Sequence, residues 1–172
     1  MEKVWLYFWL LLYRKMEKIQ QQRTKKQQRT VGAIFRLRLR NAFVYGRILE
    51  DDLAFYNAFT EEELSENQIL SLPILFIVMV SDYAITKTYW QKISKSIPLE
   101  KHLQKDQLPP KYFYDGKNYR IVKPDDMLEN DQIGTITSLE NCENLEYWAV
   151  WTPENIEKRL LAYFDEKQKN HL

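Results

Sequence analysis

The stretch Gly32–Asn57, GAIFRLRLRNAFVYGRILEDDLAFYN, decides the fold. Ile34, Arg36, Arg38 and Arg40 alternate with Phe35, Leu37 and Leu39. This period of two describes a strand with arginines on one face and apolar side chains on the other. Asn41 and Ala42 permit a tight turn, and Phe43 to Leu49 begins a second β-rich run. Gly46 interrupts that run, as at a bulge or a close backbone approach. Glu50, Asp51 and Asp52 form a polar break, after which Leu53 to Phe59 resumes the β pattern. Three strands with short connections make a meander, and its apolar face needs a second layer.

The rest of the chain supplies candidates for that layer. Thr60 with Glu63 three residues on has the spacing of a capping box, which predicts a short helix over about 61–68. Pro73 precedes ILFIVMV, residues 74–80, a continuous apolar run expected as a central buried strand. Tyr83 to Ile97 reads as one or two strands with a basic edge from Lys87, Lys92 and Lys95. Pro98 to Leu103 reads as a one-turn helix with proline in its first position. Lys111–Tyr114 and Tyr119–Val122 flank Asp115-Gly116, a hairpin signal. A weak strand over Gln132–Thr137 follows, then a helical turn from Ser138 to Asn144, then a strand over Glu146–Trp151. By alternation Trp148 and Val150 share one face of that strand and Tyr147, Ala149 and Trp151 the other. Thr152 as N-cap, Pro153 and Glu154 start the clearest helix, whose Ile156, Leu160, Tyr163 and Phe164 recur at helical spacing to about Glu166.

The fold expected from these elements is α+β. A curved, mainly antiparallel β-sheet or partly closed barrel carries a C-terminal helix packed on it, with an N-terminal apolar-then-basic helix. Residues 1–30 form a helical appendage, and 31–168 the α+β domain. A chain of 172 residues suits one such domain.

The net charge of +1 conceals an asymmetry. Residues 1–40 hold 11 Lys/Arg against 2 Asp/Glu, a net +9, and residues 41–172 hold 14 against 22, a net −8. Residues 4–13, VWLYFWLLLY, are ten consecutive apolar or aromatic residues, too few to cross a bilayer, which needs about 20. Met1-Glu2-Lys3 lacks the positive charge of a secretory leader, and no small-residue cleavage pattern follows. Three readings of the appendage stay open. It can dock on the domain or on another copy. It can be a membrane-surface anchor through Trp5, Phe8 and Trp9 with a basic collar beginning at Arg14 and Lys15. It can grip nucleic acid, the least favoured reading, since the apolar decamer has no role there.

Chemistry-bearing residues are sparse. Cys142 is the single cysteine and suits a reducing cytoplasm; His102 and His171 are the two histidines. They form no HxH, HExxH or CxxC spacing, and no G-x-S-x-G nucleophile elbow occurs. No catalytic residue, metal ligand, cofactor or small-molecule substrate is expected.

Several stretches together resemble a known family. Gly32-Ala-Ile-Phe, Tyr45-Gly-Arg-Ile-Leu and Leu53-Ala-Phe-Tyr look like its opening strands, and Leu75-Phe76, Trp90-Gln-Lys-Ile93 and Pro98-Leu-Glu100 like its middle. Leu145-Glu146, Ala149-Val-Trp151 and Glu154 with Glu157, Arg159 and Leu160 look like its end. The family is immunity protein family 26 of bacterial polymorphic toxin systems, and the resemblance covers roughly residues 31–165. Ser94 and Asn144 stand where its pattern has glycine. The resemblance implies a cytoplasmic, non-enzymatic protein whose partner is a cognate protein toxin. It also raises one enzyme alternative, phosphotriesterase-like hydrolysis. A membrane-surface-associated adaptor, held by residues 1–30, is the remaining alternative. An acidic body suits a basic toxin, because opposite charge speeds encounter and sharpens specificity. The candidate toxin-binding residues are Glu50, Asp51 and Asp52 at the strand turn, and Glu61, Glu62, Glu63 and Glu66. Asp125 and Asp126, with Glu129 and Asp131, add a later loop.

Overall fold

A computed structural model describes residues 26–124, 126 and 133–169. Of the expected helical appendage 1–30, residues 1–25, with Trp5, Phe8, Trp9, Arg14 and Lys15, lie outside them, and residues 26–30 are irregular rather than helical. The described residues form an α+β fold: a six-stranded mixed sheet curled into a half-barrel, a second sheet of four strands, and a C-terminal helix. The large sheet runs β10 (Val150–Trp151), β4 (Ile74–Val80), β3 (Leu53–Tyr56), β2 (Ala42–Ile48), β1 (Ile34–Leu39), β5 (Gln91–Lys92), and the small one β8 (Thr135–Thr137), β7 (Tyr119–Val122), β6 (Lys111–Tyr114), β9 (Glu146–Tyr147).

The meander is present as read. β1 (Ile34–Leu39), β2 (Ala42–Ile48) and β3 (Leu53–Tyr56) pair antiparallel in succession. The first turn is Arg40-Asn41 rather than Asn41-Ala42. Leu39 pairs with Ala42, and Arg40 takes the left-handed φ of 54°. Gly46 marks a close approach, not a bulge. It pairs in register with Phe35 on one side and Phe55 on the other, and the Phe35 ring lies over it. β4 (Ile74–Val80) joins β3 antiparallel and β10 (Val150–Trp151) parallel, so it lies one place from the sheet edge, not at its centre.

Its unbroken apolar run has a physical cause, since both faces of β4 are covered. Phe76, Val78 and Val80 enter the main core with Phe35, Phe55 and Trp90, beneath Ile156, Leu160 and Phe164 of α3 (Pro153–Lys169). Ile77 points the other way, to Leu49, Ala54 and Leu103. A third cluster packs Ile34, Tyr45 and Tyr56 against Ile69 of α1 (Glu66–Leu70). Thr152 Oγ1 accepts from the Asn155 N–H at 3.3 Å, and α3 continues three residues past its expected end.

Four expectations are corrected. The capping box exists, but five residues on: Ser65 caps α1 with Gln68 as the reciprocal partner. Thr60 instead bridges Phe43 through paired backbone hydrogen bonds of 2.7 and 3.1 Å. The 83–97 segment is a single helical turn, α2 (Tyr83–Thr86), followed by only two strand residues, β5 (Gln91–Lys92). The helical turn buries Ala84 and Ile85, and of the β formers that follow only Trp90 is buried, while Tyr89 and Ile93 are exposed. The turn expected to start at Pro98 comes later, as 3₁₀ turns at Lys101–Leu103 and Lys105–Gln107. Finally, Glu146–Trp151 is two strands in two sheets. β9 (Glu146–Tyr147) pairs with β6 (Lys111–Tyr114), and β10 with β4, which breaks the expected face alternation at Trp148. The hairpin of β6 and β7 (Tyr119–Val122) and the strand β8 (Thr135–Thr137) complete the small sheet.

Side chains before the meander are built into the body. Gln27 donates to the carbonyls of Ile85 and Trp90 and accepts from the Lys92 N–H at 2.7 Å. Arg29 donates to the carbonyls of Leu49, Glu50 and Asp52 and pairs with Asp82. Ser94 has a structural reason to replace glycine. Its Oγ accepts from the Ile34 N–H at 2.8 Å, and neither Ser94 nor Asn144 has a positive φ that would demand glycine.

Candidate functional site

The turn between β2 and β3 carries the first acidic candidates, and Arg29 fixes its backbone. Three carbonyls of this turn converge on one guanidinium nitrogen at 2.9–3.1 Å. The three carboxylates then diverge. Glu50 is exposed and no ion pair engages it among the described residues. Asp51 is exposed and pairs with Lys105 at 2.8 Å. Asp52 is buried and pairs with Lys111 of β6, whose side chain is also largely buried. Asp52 is thus an internal tie between the two sheets rather than a surface group.

A cleft opens beside this turn. The 3₁₀ segment with Leu103, Lys105 and Leu108, the start of β6 and the end of β7 wall it against Leu49 and Met79 of the large sheet. Its cavity measures about 40 Å³. By comparison, a cavity of about 10–15 Å³ admits one water. Trp148, at the crossing between the sheets, completes the wall, and its Nε1–H is buried without a hydrogen-bond partner. Glu50, Asp51, Lys105 and Lys123 stand with the Asp52–Lys111 pair around the cleft, three carboxylates to three ammonium groups.

The other acidic candidates do not join this site. Glu61, Glu62, Glu63 and Glu66 lie exposed on the segment leading into α1. Glu63 pairs with Arg36 of β1 at 2.5 Å. A second, more open groove beside them is lined by Tyr45, Ile69, Gln91 and Lys92. Asp126 is half-buried and accepts from the Lys123 N–H, closing its own loop. Asp125, Glu129 and Asp131 lie outside the described residues. Arg36 and Arg38 of β1 and Arg40 of the turn are also occupied. Arg36 and Arg38 stand over the Phe43 ring, and Arg40 grips Asp165 of α3 at 2.7 and 2.8 Å. That pairing raises the Arg40 pKa and lowers that of Asp165.

Neither the lone cysteine nor His102 lines the cleft. Cys142 is buried and donates to the Ser138 carbonyl, and His102 is exposed. Among the described residues, no three His, Cys, Asp or Glu side chains cluster as metal ligands, and no helix is long and apolar enough to cross a membrane.

Sequence reasoning missed the cleft. Lys105, Lys111, Met79 and Trp148 come from four separate elements, and no local pattern brings them together. No signal in the sequence marks the crossing at Trp148, where the alternation reads as continuous.

The fold and site define a small two-sheet body with a charged cleft and a tie between its sheets. The family model described as Immunity protein 26 matches residues 30–123, more than half of the chain, and the chain belongs to that family. The match spans the meander, the 3₁₀ segment and the hairpin. It includes every residue lining the cleft except Pro124 and Trp148. No curated protein and no solved structure gave a significant match.

Proposed function

We propose that this chain is an immunity protein that binds a cognate bacterial toxin and neutralises it by stoichiometric steric and electrostatic blockade, without catalysis. The family match over residues 30–123 carries the reading. Electrostatics lends support. Glu50, Glu61, Glu62 and Glu66 are exposed, and no ion pair engages them among the described residues, so they remain available to a basic partner. Such steering raises association rates by roughly 10–10³-fold at low salt. The test pairs two measurements on the polypeptide encoded beside this chain's gene: a purified complex, and survival of cells expressing that polypeptide with and without this protein. No complex together with no protection ends the proposal.

The same reading puts the protein in the cytoplasm, with the apolar run 4–13 and the basic residues from Arg14 to Lys25 contacting the inner membrane face. Flotation with anionic vesicles tests this. The comparison chain must start at Lys26, because Gln27 and Arg29 are bonded into the body. Equal flotation of the two chains refutes the anchor.

A further inference from the structure

We infer that β8 is the edge through which two copies of this chain pair, with Thr135-Ile136-Thr137 lying antiparallel against the same three residues of a second copy about a twofold axis at Ile136. The inference is independent of the immunity reading. β8 ends the small sheet and pairs only with β7. Among the described residues, no other backbone group bonds to the backbone of Thr135, Ile136 or Thr137. An edge strand of this kind turns unpaired N–H and C=O groups outward, a template for another strand. Proteins blunt such edges with a charge, a proline or a covering segment. The β5 edge of the large sheet is covered in that way. Its Lys92 N–H donates to Gln27 Oε1 at 2.7 Å, and Lys92 Nζ donates to the Gln28 carbonyl and to Thr30 Oγ1. The β8 edge carries no such charge or proline: residues 133–139, IGTITSL, contain neither. Ile133, Ile136 and Leu139 are instead 37%, 58% and 52% exposed. Arg120, opposite Ile136 on β7, is held by Asp115 and the Gly134 carbonyl, so its charge is spent within the sheet.

The sequence of the edge names its occupant. Read outward from Ile136, the two halves of IGTITSL match: threonine at 135 and 137, a small residue at 134 and 138, an aliphatic one at 133 and 139. A closed dimer sets one surface against itself, residue i on j and j on i. An antiparallel pair centred on Ile136 meets that condition along its whole length. Ile136 faces Ile136, Thr135 faces Thr137, and Ile133 of one copy lies toward Leu139 of the other. Pairs of β-branched residues and of threonines are favourable across neighbouring strands. The two small sheets, of four strands each, then become one continuous sheet. Because β8 is three residues long, the contact is narrow and belongs with weak interfaces of less than about 1,200 Å². A Kd on the order of 10–100 µM is expected.

Sedimentation velocity of the full chain from about 1 to 500 µM brackets that value. Wild type should pass from monomer to dimer over the range. Ile136→Lys and Ile136→Glu each set like charges across the axis and should stay monomeric throughout, with unchanged circular dichroism because residue 136 is exposed. An equimolar mixture of the two variants should dimerise again, since lysine then faces glutamate. A wild type that stays monomeric at the top of the range overturns the proposal. So does a dimer that either variant alone retains, which puts the contact elsewhere on the molecule. A mixture that stays monomeric overturns the twofold register at Ile136. A monomeric wild type whose binding to the polypeptide encoded by the adjacent gene is abolished by Ile136→Lys makes a strand of that partner the occupant, and the second copy is overturned.

Discussion

Gly46→Ala gives the sharpest check on the packing of the half-barrel. In an ordinary strand this change is mildly favourable, because alanine has less unfolded-chain entropy to lose, by about 0.4–1 kcal/mol. Gly46 has no positive φ, so its backbone accepts alanine. The space does not. A Cβ there would stand 2.6 Å from Phe35 Cε1, closer still to its Cζ, and 2.7 Å from the Ala54 carbonyl oxygen. The backbone oxygen is fixed in the sheet, so the ring must yield. Phe35 stacks on Trp90 at 5.4 Å and meets Phe55 edge-on at 5.5 Å. Each such pair contributes about 0.5–1.5 kcal/mol beyond its buried area. Displacing the ring loses part of both pairs and adds overpacking strain of about 1–3 kcal/mol.

The expected net loss is about 3 kcal/mol, or a fall in Tm of about 6–12 °C for a chain of this size. Thermal and urea unfolding followed by circular dichroism measure it. Phe35→Leu shortens the offending ring, so the double variant should be less destabilised than the two single losses combined, by at least about 1 kcal/mol. A Gly46→Ala protein as stable as wild type, or a strictly additive pair, would show that the aromatic layer does not press on β2 as described.

Four further outcomes follow from the same structure. Asp52→Ala leaves the Lys111 ammonium unpaired between the sheets and should cost about 3–5 kcal/mol, read as a lower urea midpoint. Ser65→Ala removes one half of the α1 capping box and should cost about 1 kcal/mol by the same measurement. Arg159→Lys keeps the charge but loses the bidentate grip on Glu146 and the contact over Phe76, and should destabilise by about 1 kcal/mol. Arg120, with the Asn118 and Lys117 N–H groups, holds the Asp115 pKa down to about 2, from 3.8 in an unperturbed chain. Because the folded value is the lower one, the stabilisation is complete above about pH 4 and fades as pH falls through about 2. Asp115→Asn should flatten that part of the acid limb, and parallel wild-type and variant curves between pH 4 and 2 would refute the assignment.

The parts of the fold that were legible in the sequence are those whose cause is local. Alternation in Phe35–Leu39 survives because one face of β1 meets the main core and the other, beyond the buried Ile34, meets solvent and Phe43. The α3 start was legible because Thr152-Pro153 acts within its own turn. The capping rule was sound but had two applicants, Thr60 and Ser65. Only the pairing of Thr60 with Phe43, 17 residues away, removes the first. The 83–97 segment misled because an apolar helical turn and a buried strand share the same composition. Glu146–Trp151 misled because two sheets compete for one run of β formers, and the crossing at Trp148 is set by β6 on one side and β4 on the other.

The acidic candidates show why a charge count is a poor map of a binding face. From sequence, residues 41–172 carry a net −8, and every carboxylate in a cluster has equal standing. Within the fold, Arg36 takes Glu63, Arg40 takes Asp165, Arg159 takes Glu146, Lys105 takes Asp51 and Lys111 takes Asp52. Two of these partners, Arg36 and Arg40, belong to the basic segment 1–40, so the apparent division into a basic arm and an acidic body is partly neutralised inside the domain. Of the acidic candidates among the described residues, those left to a partner are fewer and lie in two places: Glu50 at the cleft, and Glu61, Glu62 and Glu66 on the approach to α1. Long-range attraction would draw on both. Neutralising Glu61, Glu62 and Glu66 together should therefore slow toxin association and weaken its salt dependence while leaving dissociation almost unchanged. Stopped-flow association at two salt concentrations measures this, and a charge-neutralised variant whose defect lies in dissociation would show that these carboxylates make direct contact rather than steer.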